Sequence, residues 1–354
     1  IMIENLIREE IRGLRAYKEG GINSRFKLDA NENGWGLPDS TKASIVESLK
    51  DFPYHRYPDS DSTDLRERLS GYTGVKPEHL MIGNGSDELI QYIVQTFIGR
   101  GDRVVTQYPT FSMYGFFTKL MGGIPIEVYG DGAFRVDTEL IIDTAKAEEA
   151  KVVFLCNPNN PTGRAMASEE IRKVLTGVPG VLVVDEAYFE FHGESVIKWI
   201  YRYDNLVVLR TFSKAMAIGG LRVGYLAAND SIMKYLTRVK VPYNVGSFSQ
   251  HAAAKVLEHL ESVREWLAAF GEVRDAFIES LSAVDRIKVI PSRANFVLIE
   301  VDDAEWLWNR LVEKGILVRK FGDERLRKHL RVTIGTPHEN EAFLLEIKRI
   351  LGGM

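Results

Sequence analysis

The sequence predicts an α/β protein: a large domain with a mostly parallel seven-stranded sheet between helices, followed by a smaller α+β domain. Three observations carry this. From Met81 onward, short apolar runs alternate with longer helical patterns. Polar residues of chemical consequence gather where those runs end. After a long helical tract that closes near residue 282, the pattern changes. Such alternation requires crossover connections, and therefore parallel strands with both faces covered.

Apolar runs at 80–82, 103–106, 124–128, 151–155, 181–184, 206–209 and 223–227 supply the seven strands. Helical periodicity at 87–98, 110–121, 138–147 and 168–175 fills most of the gaps between them. Residues 247–282 read as one helical tract joining the lobes. Beyond it come a strand at 296–300, a helix at 304–314, a strand at 330–334 and a final helix from Glu339. The expected division is an N-terminal helix and arm over 1–35 that packs with the small domain, a large domain over 36–284, and a small C-terminal domain over 285–354. A chain of 354 residues exceeds one typical domain, and 45% hydrophobic residues suffice for such cores.

The composition also removes classes of function. A formal net charge of -4 offers nothing to draw in a polyphosphate backbone, so no nucleic-acid partner is expected. Cys156 is the single cysteine, which rules out an intrachain disulfide and suits a reducing, cytoplasmic setting. No apolar stretch nears the roughly 18 residues of a membrane span, and the opening Ile1-Met2-Ile3-Glu4 has no apolar core of a secretory signal. The histidines show no metal-ligand spacing, so no metal is expected.

Open α/β sheets bind ligands beyond the carboxyl ends of their strands. Here the run 152–155 leads into Asn157-Pro158-Asn159-Asn160-Pro161-Thr162-Gly163. The run 181–184 ends in Asp185-Glu186-Ala187-Tyr188, and 206–209 leads to Ser213-Lys214. Gly219-Gly220-Leu221-Arg222 opens the next strand. A lysine can form an imine with an aldehyde, and a short carboxylate at a strand end can hold a pyridine nitrogen protonated. Asn160 and Tyr188 are donors for a ring oxygen. A phosphate wants a helix N-terminus with cationic help, and Gly85-Ser86-Asp87 opens a helix with Ser86 in the N-cap role, while Ser213 and Arg222 complete the cup. Asp87 has the alternative of serving only the helix dipole, and Asn160-Pro161-Thr162-Gly163 that of a plain turn. Competing motifs fail: Glu88 stands where a dinucleotide fingerprint needs its third glycine, and neither a Walker loop nor a Gly-x-Ser-x-Gly elbow occurs.

These motifs, in this order and spacing, resemble the fold-type I pyridoxal-phosphate aminotransferases over nearly the whole chain. Within that superfamily the chain is most similar to the histidinol-phosphate aminotransferases. The residues carrying this are Leu28-Asp29-Ala30-Asn31-Glu32-Asn33, Arg56-Tyr57-Pro58-Asp59, Gly83-Asn84-Gly85-Ser86-Asp87-Glu88, Asp185 to Glu190, and Leu330-Arg331-Val332-Thr333-Ile334-Gly335. The resemblance implies pyridoxal 5'-phosphate as cofactor, Lys214 as Schiff-base lysine and proton shuttle, and Asp185 paired with the pyridine nitrogen. Asn160 and Tyr188 would bond the ring hydroxyl, and Phe111 would stack on the ring. Gly85, Ser86, Asp87, Ser213 and Arg222 would line the phosphate site, with Tyr57 reaching it from a second subunit of a homodimer. Arg331 would clamp the substrate's anionic group, and Arg319, Tyr17 and Asn33 would border the substrate.

The implied reaction transfers an amino group between histidinol phosphate and 2-oxoglutarate or glutamate, in histidine biosynthesis. An aromatic amino-acid aminotransferase, a phospho-amino-acid decarboxylase and a non-catalytic regulator are the alternatives. Two departures bear on substrate. Phe111 stands where many relatives carry tyrosine, and Gly34-Trp35-Gly36 where proline and an aromatic are commoner.

Overall fold

The computed structural model describes residues 2–14 and 22–352, and Tyr17 lies outside them. Among the described residues there are two sheets. The larger contains Leu80–Asn84, Arg103–Tyr108, Ile124–Tyr129, Val152–Cys156, Val181–Asp185, Leu206–Thr211 and Val223–Ala228. Its pairings are parallel except those of Val223–Ala228, which lies antiparallel between Leu80–Asn84 and Leu206–Thr211. The seven expected strands thus form the mostly parallel sheet.

Strand periodicity explains why these runs read as continuously apolar. Val153, Leu155, Leu182, Val184, Leu206 and Val208 enter the core on one face. Val152, Phe154, Cys156, Val183, Val207 and Leu209 enter the core on the other. A sheet buried on both sides has no solvent face on which to alternate polar residues. Asp185 stands two residues beyond Val183 and so shares the second face, where the helix Met113–Leu120 packs.

The smaller sheet has five strands, in the order Phe26–Leu28, Ile316–Lys320, His329–Thr333, Phe296–Val301 and Ile287–Ile290. Phe26–Leu28 pairs parallel with Ile316–Lys320, and the rest is antiparallel. The first 35 residues divide between the two sheets. Phe26–Leu28 extends the small one, while Arg8 donates to the Leu120 carbonyl and Glu10 pairs with Arg100 beside the large one.

Three expectations need correction. The tract 247–282 is two helices, Ser247–Glu258 and Leu260–Ser282, separated at His259. The first packs Ala253 and Val256 into the core of the large sheet; the second begins in that core with Val263 and passes to the core of the small sheet with Phe270 and Phe277. The helical pattern over 2–11 resolves into a 3₁₀ turn at Ile3–Leu6 and a short helix at Glu9–Arg12, neither with a buried residue to fix it. Ser86 is not an N-cap: the helix Gly85–Phe97 starts a residue earlier, and Ser86 lies inside its first turn. The Asp39–Ser48 and Thr63–Thr73 helices and the Ile316–Lys320 strand carry no clear period in the sequence.

No helix among the described residues is long and apolar enough to cross a membrane.

One buried ion pair ties the strand ends together. Arg210, 3% exposed, donates through Nε to Oε2 of Glu186, 2% exposed, at 2.9 Å. Ser195 Oγ and the Val196 amide also donate to Glu186, and the Arg210 guanidinium lies 3.4 Å from the centre of the Phe189 ring. Removing one partner strands the other charge away from water, which costs about 3–5 kcal/mol. We expect Arg210→Met to lower the unfolding free energy by about that amount in urea denaturation followed by circular dichroism. A change under about 1 kcal/mol would mean the pair bears no load.

Candidate active site

The carboxyl ends of the parallel strands bring the predicted residues together. Register sets Asp185 opposite Cys156 on one neighbour and opposite Leu209 on the other, five residues before Lys214. Asp185 is 2% exposed. Its Oδ2 accepts a 2.6 Å hydrogen bond from the Tyr114 hydroxyl, and its Oδ1 accepts one from the Ala187 amide at 3.0 Å. Burial pushes its pKa up to about 6, against the pull of those two donors.

Lys214 follows Leu206–Thr211, and its Nζ donates to the Ala30 carbonyl at 2.9 Å. Burial lowers its pKa to about 8, with help from the positive charge of Arg331. Tyr188 is buried; its hydroxyl accepts from Asn31 Nδ2 at 3.0 Å, and its ring meets Phe296 edge-on. Loss of hydration raises the pKa of its phenol well above normal, so it stays protonated.

A polar cup forms at the start of the helix Gly85–Phe97. Arg222, at φ 53°, turns its guanidinium back to donate to Ser213 Oγ at 3.2 Å and to Asp87 Oδ2 at 3.1 Å. Gly85 has φ 78°, and a Cβ there would lie 2.5 Å from Arg222 Nη2. At Gly224 a Cβ would lie 2.6 Å from the Ser86 amide nitrogen. Both glycines are therefore required by close approach, one to the guanidinium and one to the helix start. Ser86 and Asp87 occupy the first helical turn, whose backbone N–H groups have no intrahelical acceptor. This suits an anion.

Arg331, 8% exposed, sits on His329–Thr333 of the small sheet and bridges to the large one. Its Nη1 donates to Asn160 Oδ1 and its Nη2 to the Asp29 carbonyl, each at 2.5 Å. Arg319 is its direct cross-strand neighbour. Asn33 donates to the Ala215 carbonyl at 3.3 Å and lines a cleft with Glu32, Ser213 and Thr333. Phe111 meets the Tyr114 ring edge-on at 5.6 Å. Tyr57 stands apart: it is 82% exposed and stacks on Tyr243.

Three contributors escaped the sequence reading. Tyr114, Asn31 and the Ala30 carbonyl hold Asp185, Tyr188 and Lys214 respectively. Tyr114 reads as an ordinary apolar helix position, whereas Asn31, within an Asn-Glu-Asn stretch, was visible but unassigned. Trp35, in the departing Gly34-Trp35-Gly36 segment, turns into an aromatic cluster with Trp266 and Phe270.

The arrangement offers a partly neutral amine, a buried carboxylate, and an anion cup with Arg222 and Ser213 at its rim. That donor set fits a pyridine aldehyde bearing a phosphate. Among the described residues no group of His, Cys, Asp or Glu is arranged to hold a metal ion.

Comparison with known proteins agrees. Residues 24–347 match the family model for aminotransferase class I and II. A histidinol-phosphate aminotransferase of Thermoanaerobacter sp. is 42% identical over 351 residues, covering 99% of this chain and 100% of the relative. Among solved structures, the histidinol-phosphate aminotransferase of Sinorhizobium meliloti in complex with pyridoxal-5'-phosphate superposes with a TM-score of 0.90 at 24% identity, covering 98% of each chain. That of Clostridium acetobutylicum gives 0.85 at 27% identity, covering 93% of this chain and 100% of the other.

With a Lys214 pKa near 8, the neutral amine is the minor form below that pH and the major form above it. In cofactor-free protein, amine-directed acylation of Lys214, read by peptide mapping, should rise about tenfold per pH unit below 8 and level off above it. Arg331→Ala removes a positive neighbour, which makes the ammonium easier to keep, so the plateau should move to higher pH. A profile that still climbs to pH 10 in the parent protein would refute the shift.

Proposed function

The chain belongs to the class I and II aminotransferases, and from that premise we propose that it transfers an amino group between histidinol phosphate and 2-oxoglutarate or glutamate, with pyridoxal 5'-phosphate bound at Lys214. The observation that carries the reading is Lys214, a partly buried amine of lowered pKa, just past the strand that pairs with the one ending in Asp185. Full-length similarity to curated histidinol-phosphate aminotransferases supports the substrate.

When bound, pyridoxal phosphate supplies an aldehyde carbon that takes up the amino nitrogen and a ring that accepts electrons from the substrate's α-carbon. Asp185 would hold the proton on the ring nitrogen. Asn160 and Tyr188 would meet the ring oxygen, and Phe111 one face of the ring. The amides of Gly85, Ser86 and Asp87, with Ser213 and Arg222, would hold the phosphate; the bond from Arg222 to Asp87 tempers its charge. Lys214 Nζ would bond the aldehyde carbon. When free, its amine would take up the proton from the substrate's α-carbon and hand it on. A base placed this way is worth roughly 10²–10⁴-fold in rate.

Arg331 would bind the phosphate of histidinol phosphate in one half-reaction and a carboxylate of glutamate in the other. A planar guanidinium presents paired donors that match either anion. Arg319, in the next strand and opposite Arg331, would add a second positive charge, and Asn33 would line the substrate's approach. Histidinol phosphate has no α-carboxylate, so one anion site serving both substrates explains how they share a pocket.

Tyr57 would serve the phosphate site of a second copy. Its 82% exposure and its stacking on Tyr243, with exposed Tyr54 and Val241 nearby in sequence, support a homodimer assembled through this face.

Borohydride reduction of the cofactor-loaded protein, then peptide mapping, should label Lys214 alone. Lys214→Ala should remove the label and turnover together, and a label on any other lysine would end this account. In half-reactions, histidinol phosphate should convert far faster than phenylalanine or tyrosine. Arg331→Ala should slow both half-reactions, and unchanged rates would exclude the shared anion site.

The dimer has its own test. Sedimentation should give a mass of about twice 40.0 kDa. Tyr57→Phe should leave that mass unchanged and weaken cofactor affinity several-fold, the loss of one hydrogen bond to a charged group. A monomer that keeps full affinity would contradict both parts.

A further inference from the structure

Asp185 is buried in surroundings that favour its neutral acid, yet the proposed chemistry needs it ionised. The groups facing it are few. Cys156 lies opposite it on the neighbouring strand, Glu186 follows it in sequence, Tyr188 lies just beyond, and Asp87 and Tyr114 face it from the two flanking helices. Glu186 and Asp87 are acidic and raise its pKa further. Among the described residues two groups donate to it: the Ala187 amide, on Oδ1, and the Tyr114 hydroxyl, on Oδ2.

Tyr114 is built to do this. It is 0% exposed and stacks on Phe154 with ring centroids 4.6 Å apart and planes 10° from parallel. Its own ionisation is pushed far up by burial and by Asp185, so its hydroxyl keeps its proton and acts as a donor. At 2.6 Å the bond has the length of a charge-assisted O–H···O⁻ contact.

We propose that Tyr114 is a positioning residue that keeps Asp185 an ionised and weakly basic carboxylate, so that the proton shared with the cofactor's ring nitrogen stays on nitrogen. A carboxylate without that donor would be the stronger base and would draw the proton onto Oδ2, leaving the ring a poorer electron acceptor. The inference rests on the pyridoxal phosphate reading, but its first test does not need the cofactor.

That test follows the Asp185 carboxyl by NMR in the full-length chain carrying ¹³C-carboxyl aspartate, with Asp185→Asn for assignment. Tyr114→Phe should raise the titration midpoint by about one pH unit or more. Phe154→Leu removes the stacked ring but not the hydroxyl, and should lower thermal stability without moving the midpoint. 3-Fluorotyrosine at position 114 keeps the ring's shape and makes the hydroxyl a stronger donor, so the midpoint should fall. With ¹⁵N-labelled pyridoxal phosphate bound, the ring-nitrogen shift of Tyr114→Phe should move toward the unprotonated value.

An unmoved midpoint in Tyr114→Phe, or in the fluorotyrosine protein, would overturn the proposal. So would an equal shift in Phe154→Leu, because packing alone would then explain it. Failure of the cofactor reading would look different: the parent protein would not take up pyridoxal phosphate, whatever the carboxyl titration gave.

Discussion

Two charges removed from water set the terms for the rest of the structure. Asp185 ends one strand and Lys214 follows its neighbour, and loss of hydration drives each toward its neutral form, the amine to about 8 and the carboxyl to about 6. For the lysine that drift is useful, because an amine needs a free electron pair to attack a carbonyl carbon. For the aspartate it works against function, since only the anion can hold a ring proton. Much of the neighbourhood resolves this asymmetry. Lys214 faces the nearby positive charge of Arg331, which reinforces the drift, whereas Asp185 receives two hydrogen-bond donors, which resist it.

The parallel sheet makes such a site affordable. Asp185 and Lys214 each come at the end of a largely buried strand, so the strand's burial on both faces anchors the polar group. Adjacent register then fixes their order: Cys156 beside Asp185, and Asp185 beside Leu209. The buried Glu186–Arg210 pair braces the two segments that carry Asp185 and Lys214 from beneath. From the other side the small sheet closes in. Arg331 reaches Asn160 and the Asp29 carbonyl, and a Cβ on Gly163 would lie 2.1 Å from Ser292 Oγ. The Asn160-Pro161-Thr162-Gly163 stretch is therefore a seam between the two sheets as well as a turn, which its sequence does not distinguish.

What the sequence made legible follows from the same physics. Strands buried on both faces leave unbroken apolar runs, and all seven of the large sheet were readable from them. Lys214, Asp185, Tyr188 and Arg222 stood out because a polar residue at the end of such a run has few structural reasons to be there. Less legible were features whose cause lies elsewhere in the chain. The break at His259 has no glycine or proline to announce it, and the helix beyond it carries the packing from the core of the large sheet to that of the small one. The short Phe26–Leu28 strand exists because Ile316–Lys320 offers it an edge. Tyr114 sits in a helix that reads as simply amphipathic, and only the fold reveals that its hydroxyl ends on a carboxylate 71 residues away. Tyr57 shows the opposite limit, since its exposure within one chain fits a role that requires two.

The separation of tasks between the sheets bears on how one pocket can take two unlike substrates. The groups suited to cofactor chemistry, Lys214 and Asp185 with the helix start at Gly85, all belong to the large sheet and its helices. The guanidinium groups suited to a substrate anion, Arg331 and Arg319, are register partners on adjacent strands of the small sheet. Two like charges opposite each other in an antiparallel pair destabilise it unless an anion or other partners offset them. Arg331 spends part of its hydrogen-bonding capacity on two neutral acceptors, Asn160 Oδ1 and the Asp29 carbonyl. Under the proposed function, a positive site of this kind would discriminate by charge and geometry more than by the shape of what bears the charge, and would accept a phosphate ester and a carboxylate alike. Discrimination among substrates must then come from the walls between the anion site and Lys214. The N-terminal arm supplies one of them: Ala30 and Asn31 contact Lys214 and Tyr188 directly, and the arm is held to the small sheet by Asn295 and Thr333. Because the arm is fixed to the sheet that carries Arg331 and Arg319, the proposed function makes specificity a property of the small sheet and its arm as a unit.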